Sequence, residues 1–153
     1  MAEEVFIDPE CTIMVDPSTR RGEILINNHS MTGKGFKIKT TKPDDYTVKP
    51  NLGIIHPLQK ESIEIIVEPK TLISNDHKFL IEIHNFEWQK GNEKFREYIN
   101  EKKPVPLIKK MLGIKMNEKG IKELNFKVKK YLEKGCLFII LLQFLLLFIK
   151  MLS

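Results

Sequence analysis

Residues 36–55 read FKIKTTKPDDYTVKPNLGII, and they contain short strand patterns separated by turn residues. In the first part, FKIKT, apolar residues alternate with lysines, which is the period of a strand with one buried face. Pro43-Asp44 and Pro50-Asn51 are turn signals that bound the next short run. This stretch therefore predicts β-structure with one face toward a core and the other toward water.

Similar patterns extend on both sides of this stretch, and residues 1–86 show no sustained helical period. Seven short strands at this spacing predict an all-β fold with two packed sheets. A parallel α/β fold is disfavoured, because crossover helices have no place in the chain. The predicted strands are Val5–Ile7, Thr12–Val15, Glu23–Asn27, Gly35–Thr40, Tyr46–Val48, Ser62–Val67 and Lys78–His84.

The chain divides by composition into three parts: a β-sandwich over 1–87, a charged, basic linker over 88–135, and an apolar segment over 136–152. Within the linker, Trp88–Lys103 predicts a short helix that the prolines of Pro104–Pro106 end. The lysine-rich remainder is read as a spacer, and a weak amphipathic helix there remains an open alternative.

The apolar segment begins with Cys136–Ile149, which reads CLFIILLQFLLLFI and contains Gln143 as its one polar residue. A helix of this length spans about 21 Å, against roughly 30 Å for a bilayer's hydrocarbon core. The run is apolar on all sides, which predicts a hydrophobic C-terminal helix acting as a membrane anchor over 136–152. The open alternative is a buried core helix.

Four lysines precede this segment, and the positive-inside tendency then predicts that the N-terminal domain faces the cytosol. The N-terminal residues are acidic and lack an apolar run, so a secretory signal peptide is not expected. Two cysteines, placed near the two ends of the chain, fit a reducing compartment. The four lysines are Lys127, Lys129, Lys130 and Lys134.

The net charge of +5 is unevenly distributed along the chain. Residues 1–98 carry 13 Lys and Arg against 16 Asp and Glu, whereas residues 99–153 carry 12 against 4. The predicted domain is therefore acidic overall, which argues against nucleic-acid binding. No ligand spacing among the histidines and cysteines and no nucleophile–base set is apparent, so neither an enzyme, nor a metal, nor a cofactor is expected.

Strand alternation points instead to a binding face. In the run KFLIEI at 78–83, Phe79 and the two isoleucines form the core set, so Lys78 and Leu80 must point outward. If this strand neighbours FKIKT, Leu80 lies among lysines, including Lys37 and Lys39. An exposed apolar residue among lysines is suited to an extended peptide with an apolar anchor and acidic flanks. A solvated lysine-rich face is the open alternative.

The blocks FKIKTTKP at 36–43 and YTVKPNLGII at 46–55 resemble the core motif of the major sperm protein (MSP) domain family. Among its members, they are most similar to the VAMP-associated proteins of the endoplasmic reticulum. Residues 24–28, ILINN, and 77–80, HKFL, resemble the flanking strands of that domain. The resemblance covers roughly residues 4–86. It implies an immunoglobulin-like, seven-stranded β-sandwich followed by a linker and a tail anchor.

The resemblance also implies a function. Family members of this type bind acidic, phenylalanine-containing (FFAT-like) motifs carried by lipid-transfer and tethering proteins, and they recruit these partners to the endoplasmic reticulum or membrane contact sites. Pro50 corresponds to a structural position in the family, and Leu80 stands where methionine is usual. The peptide-binding positions fall on Lys37, Lys39, Thr40, Thr41, Lys78 and Leu80.

Two alternatives stay open with this resemblance. Major sperm proteins themselves are soluble and assemble into filaments, so a structural role is the second reading. The resemblance implies dimerisation through a coiled coil before the anchor, a pattern that residues 107–134 do not show, so a homodimer stays an open alternative. The expected location is the endoplasmic reticulum membrane, tail-anchored with the N-terminal domain in the cytosol.

Overall fold

A computed structural model of the chain describes residues 4–117, 119, 122–123, 125–133 and 135. The chain divides into two compact units, Met1–Asn117 and Glu118–Ser153. In the second unit, residues 125–133 are helical. Within the described ranges, no helix is both long and apolar enough to cross a bilayer. The predicted anchor at 136–152 and the predicted flanking Lys134 lie outside the described residues.

The first unit is a sandwich of two β-sheets. The strands are β1 (Val5–Asp8), β2 (Thr12–Val15), β3 (Arg21–Asn28), β4 (Lys34–Thr40), β5 (Tyr46–Lys49), β6 (Leu52–Ile55), β7 (Lys60–Val67), β8 (Lys78–Asn85) and β9 (Ile108–Met116). One sheet has the strand order β1-β3-β7-β5 and the other the order β2-β9-β8-β4-β6. Neighbouring strands are antiparallel, except that β2 and β9 run parallel.

Alternating apolar residues from both sheets fill the space between them. In β8, Phe79, Ile81 and Ile83 are fully buried, and in β4 Phe36 and Ile38 join them. Fully burying one such side chain contributes about 1.5–3 kcal/mol relative to leaving it exposed. The opposing sheet adds Ile24, Ile26, Ile63 and Ile65. The apolar residues that alternate along each strand in the sequence are therefore the residues that form the core.

All seven predicted strands are confirmed, with ends shifted by at most a few residues. The structure adds two strands that were not predicted. Strand β6 could not be predicted, because its four residues directly follow the turn at Pro50-Asn51 and are too few to show an alternation of apolar and polar residues. It pairs with β4, where Gly53 lies opposite Phe36.

The second unpredicted strand is β9. It shows that the linker prediction is wrong for residues 108–116. Residues 108–116 do not form a spacer or an amphipathic helix; they form a strand between β2 and β8, with Leu112 and Ile114 in the core. The sandwich therefore does not close at residue 87. Gly113 and the density of lysines weaken the local strand pattern of IKKMLGIKM, and pairing with two neighbouring strands overrides that weakness.

The predicted helix is confirmed as a short 3₁₀ turn (Trp88–Lys90) followed by α1 (Gly91–Lys102). Phe95 and Ile99 lie one turn apart on the same side of α1, and both are buried. Lys103 ends the helix in a left-handed conformation, with φ 45°, directly before Pro104. The helix therefore presents one apolar stripe and keeps its charged side toward water.

Candidate functional site

Strands β4 and β8 are neighbours, as the predicted face requires. Lys39 lies directly opposite Leu80, and on the other side of Leu80 lies Met111 of β9. Leu80 is half-buried and Met111 is 61% exposed. Two apolar side chains thus lie side by side on the outer surface of the second sheet. We call the surface formed by Lys37, Lys39, Lys78, Leu80 and Met111 the lysine face.

The predicted orientation of these side chains is confirmed, because the lysines and Leu80 occupy the strand positions that point away from the core. Their role in peptide binding stays a prediction. Glu82 shares this surface and lies between Lys37 on β4 and Lys109 on β9. The Nζ of Lys39 forms an ion pair with Glu82, at 2.8 Å from Oε2. The Lys39 side chain is 48% exposed and that of Glu82 is 12% exposed, so the ion pair is only partly open to solvent.

The two predicted threonines, Thr40 and Thr41, lie where β4 ends, and their side chains are on different sides of the sheet. Thr41 follows β4, and its hydroxyl accepts a hydrogen bond from the backbone N–H of Lys78 at 3.0 Å. Its backbone N–H donates to the carbonyl of Lys78 at 3.0 Å, so Thr41 fixes the start of β8 beside the end of β4. Thr40 shares its side of β4 with Phe36 and Ile38, away from the lysine face. Only Thr41 is therefore brought next to the predicted lysines by its strand position.

Gly113 of β9 lies opposite Lys78 and leaves room for its long side chain. A Cβ at this glycine would lie 3.7 Å from the Nζ of Lys78 and 3.7 Å from the Oγ1 of Thr12. The ammonium group of Lys78 therefore lies across β9 rather than extending freely into solvent. This position holds a positive charge close to the pair formed by Leu80 and Met111.

Pro50 occupies the connection between β5 and β6, where the Lys49–Pro50 peptide bond is cis. The next residue, Asn51, accepts a hydrogen bond through its carbonyl from the backbone N–H of Ile38 at 2.8 Å. The connection is thereby attached to β4 beside the lysine face. The structural role that the family resemblance implies for Pro50 stays a prediction.

Helix α1 covers the other half of the same outer surface. The Phe95 ring lies over Gly35 of β4 and 6.2 Å from the His84 ring of β8, measured between centroids. His84 is 3% exposed. Neither its Nδ1 nor its Nε2 has a hydrogen-bond partner among the described residues. The outer surface is therefore divided into a covered half around His84 and an open half, the lysine face.

Burial lowers the pKa of His84 from its usual value of 6.5, and the positive charges of Lys39 and Lys37 lower it further against the opposing effect of Glu82. The folded state therefore binds the proton less readily than the unfolded state. We expect stability to fall as the pH decreases below 6.5, by at most about 1.4 kcal/mol per pH unit for one proton. The stability lost should stop increasing once the pH passes the lowered pKa of the folded state.

Urea denaturation at about pH 7.5 and about pH 5.5 measures this effect, because the carboxylates titrate mainly below that range. The His84→Phe variant should lose less stability over the same interval than the wild-type chain. Equal losses in the two proteins would assign the pH dependence to other groups.

Two residues of this surface were not predicted from the sequence: Met111 and Lys109. Both lie in the segment whose composition predicts a linker. The signal was present in the alternation of MLGIK at 111–115, where Leu112 and Ile114 point inward, but nothing in the local pattern shows which strands flank it. The pairing between Lys39 and Glu82 was missed for the same reason, since it depends on register.

Residues 4–104 match the family model described as the MSP (Major sperm protein) domain. Three curated relatives also match, including the two that follow. One, from Aplysia californica, is a vesicle-associated membrane protein/synaptobrevin-binding protein, 36% identical over 50 residues. The other, from Homo sapiens, is vesicle-associated membrane protein-associated protein A, 38% identical over 50 residues. These matches cover 31% of the chain and only 19% and 20% of the two relatives.

Two solved structures from Caenorhabditis elegans have the same fold. WR4, an MSP family member, superposes with a TM-score of 0.60 at 16% identity, covering 75% of this chain and 99% of WR4. SSP-19, an MSP-domain protein like family member, gives a TM-score of 0.51 at 16% identity, covering 71% and 94%. At these identities the similarity shows a shared sandwich and carries no information about ligands.

Proposed function

The chain belongs to the MSP (major sperm protein) domain family, and from this premise we propose that it is an adaptor whose lysine face binds acidic, phenylalanine-containing (FFAT-like) segments of partner proteins. The observation that carries the proposal is the apolar pair of Leu80 and Met111, flanked by Lys39 on one side and by Lys78 at the start of β8. An apolar pair can anchor an aromatic side chain, while the lysines attract its acidic flanks.

The two kinds of residue would make different contributions. Attraction between lysines and an acidic peptide acts over about 8 Å at physiological ionic strength, so it speeds the encounter and weakens with salt. Desolvation of the phenylalanine against Leu80 and Met111 would supply most of the lifetime of the complex. No catalytic step is required, since the partner is held and not changed.

We further propose that the apolar segment 136–152 holds the domain at the endoplasmic reticulum membrane with the sandwich in the cytosol. The support for this part is the composition of the segment in the sequence and the family resemblance. Anchoring would concentrate bound lipid-transfer and tethering proteins at the membrane surface. Fractionation offers a simple test, because an anchored adaptor would require detergent for extraction, whereas a filament subunit would be recovered without it.

Leu80→Asp tests the lysine face. The variant places a carboxylate at the centre of the apolar pair, where it would repel the acidic peptide and remove the anchor. We expect binding to weaken by at least about 30-fold, the level of a hot-spot residue. Fluorescence anisotropy of a labelled acidic peptide with two adjacent phenylalanines, with the full chain in a nonionic detergent, measures the affinity.

Leu58→Asp is the matched control. It makes the same chemical change at a residue that is 62% exposed, in the turn after β6, where the backbone N–H of Leu58 donates to Ser30. Its positive φ of 56° is well tolerated by aspartate. We expect its affinity to stay within twofold of wild type. If both variants bind the peptide equally well, the lysine face is not the binding site.

A further inference from the structure

A cavity of about 380 Å³ lies between helix α1 and the outer surface of the second sheet, next to the lysine face. Lys37 and Lys39 line it from β4, Glu82 and His84 from β8, and Lys103 from the end of α1. Because Lys37 and Lys39 belong to both surfaces, the cavity is continuous with the lysine face. A peptide lying on that face would reach the cavity with one of its side chains.

The charges around the cavity are unequally distributed. Lys39 and Glu82 form an ion pair with each other, so they contribute little net charge. Lys37 and Lys103 form no ion pair within residues 4–117, which leaves two positive charges at opposite walls. The carbonyl end of α1 contributes about half a negative charge near Lys103, which reduces the positive sum without cancelling it. The net potential in the cavity therefore favours an anion.

His84 also lines the cavity and is a candidate hydrogen-bond donor to an anion there. Its ring is 97% buried, since only 3% is exposed, and both ring nitrogens lack a protein partner among the described residues. Buried polar groups are nearly always hydrogen-bonded, because an unpaired donor loses its bond to water without replacement. A neutral imidazole has one N–H that can donate to an oxyanion. An apolar side chain cannot accept this hydrogen bond.

We propose that the cavity binds one carboxylate of the acidic peptide docked on the lysine face, between Lys37 and Lys103 and with a hydrogen bond from His84. This inference rests on the proposed function. It assigns one acidic residue of the peptide to a defined position in the cavity, in addition to the general attraction between the peptide and the lysines. The carboxylate would be held by charge-assisted hydrogen bonds, which are geometrically selective. The cavity, at about 380 Å³, is large enough for an acidic side chain.

The test compares two labelled peptides, one with acidic flanks and one in which glutamines replace the acidic residues. Their affinities are measured for the full chain in a nonionic detergent. Lys103→Gln should weaken binding of the acidic peptide by about 5–10-fold and leave that of the glutamine peptide unchanged. Lys102→Gln is the matched control: it removes the same charge one residue earlier, from a side chain that does not line the cavity, and should change either affinity by less than twofold.

His84→Phe provides a second variant that removes the donor and keeps an aromatic ring beside Phe95. It should also weaken binding of the acidic peptide alone, and its thermal unfolding checks that the chain still folds. Equal effects of Lys103→Gln and Lys102→Gln, with His84→Phe binding like wild type, would overturn the cavity site. If Leu80→Asp still abolished binding in that case, the proposed function would stand. Wild-type chain that binds neither peptide would refute both proposals.

Discussion

Replacing Leu112 by aspartate is expected to unfold the sandwich. Leu112 is 0% exposed and pairs with Phe79 across the boundary between β9 and β8. A carboxylate there would have no partner in the core, and burying it would cost more than about 4 kcal/mol, a large part of the roughly 5–15 kcal/mol that stabilises an ordinary domain. Far-UV circular dichroism and urea denaturation would show the loss of the folded state at room temperature.

Met111→Asp is the control for this experiment, because Met111 is the preceding residue and lies on the opposite side of β9. It is 61% exposed, so we expect its stability to stay within about 0.5 kcal/mol of wild type. Binding of the acidic peptide should nevertheless fall, since Met111 belongs to the lysine face. Equal stability of the two variants would mean that residues 108–116 do not form a core strand.

The second large effect is expected from Gly35→Ala. A Cβ at this position would lie 2.8 Å from the Cδ2 of Phe95 and closer still to Cε2 and Cζ of the same ring. The ring belongs to a fully buried side chain and has little freedom to move, so α1 must shift away from the sheet. Overpacking of this kind costs about 1–3 kcal/mol or more. Loss of the helix would also expose His84.

Urea denaturation measures the change in stability, and hydrogen exchange of the α1 amides reports whether the helix has detached. Gly113→Ala is the matched control, since a Cβ there would make only ordinary contacts, at 3.7 Å from the Nζ of Lys78. We expect its stability to change by less than about 0.5 kcal/mol. If Gly35→Ala were as stable as this control and α1 stayed protected, the close contact between Phe95 and Gly35 would be refuted.

Most strands could be predicted from the sequence because a strand's alternation is local. In FKIKT and KFLIEI, the period of two residues fixes which side chains point toward the core, whatever the neighbouring strands are. The same alternation predicts that Leu80 points outward with Lys78. No such alternation extends through residues 108–116, where Gly113 interrupts the pattern and lysines occur on both sides of the strand. There, local preference is weak and pairing with β2 and β8 determines the structure.

Alternation within single strands was therefore enough to orient the lysines and Leu80, and the short turn-bounded runs were enough to indicate two packed sheets. Which residues share the outer surface of the second sheet depended on pairing between strands that are far apart in the chain. Met111 lies beside Leu80, Glu82 forms an ion pair with Lys39, and α1 covers His84 because segments far apart in the chain meet in one register. That register is set by the packing of the whole core, and no local pattern encodes it.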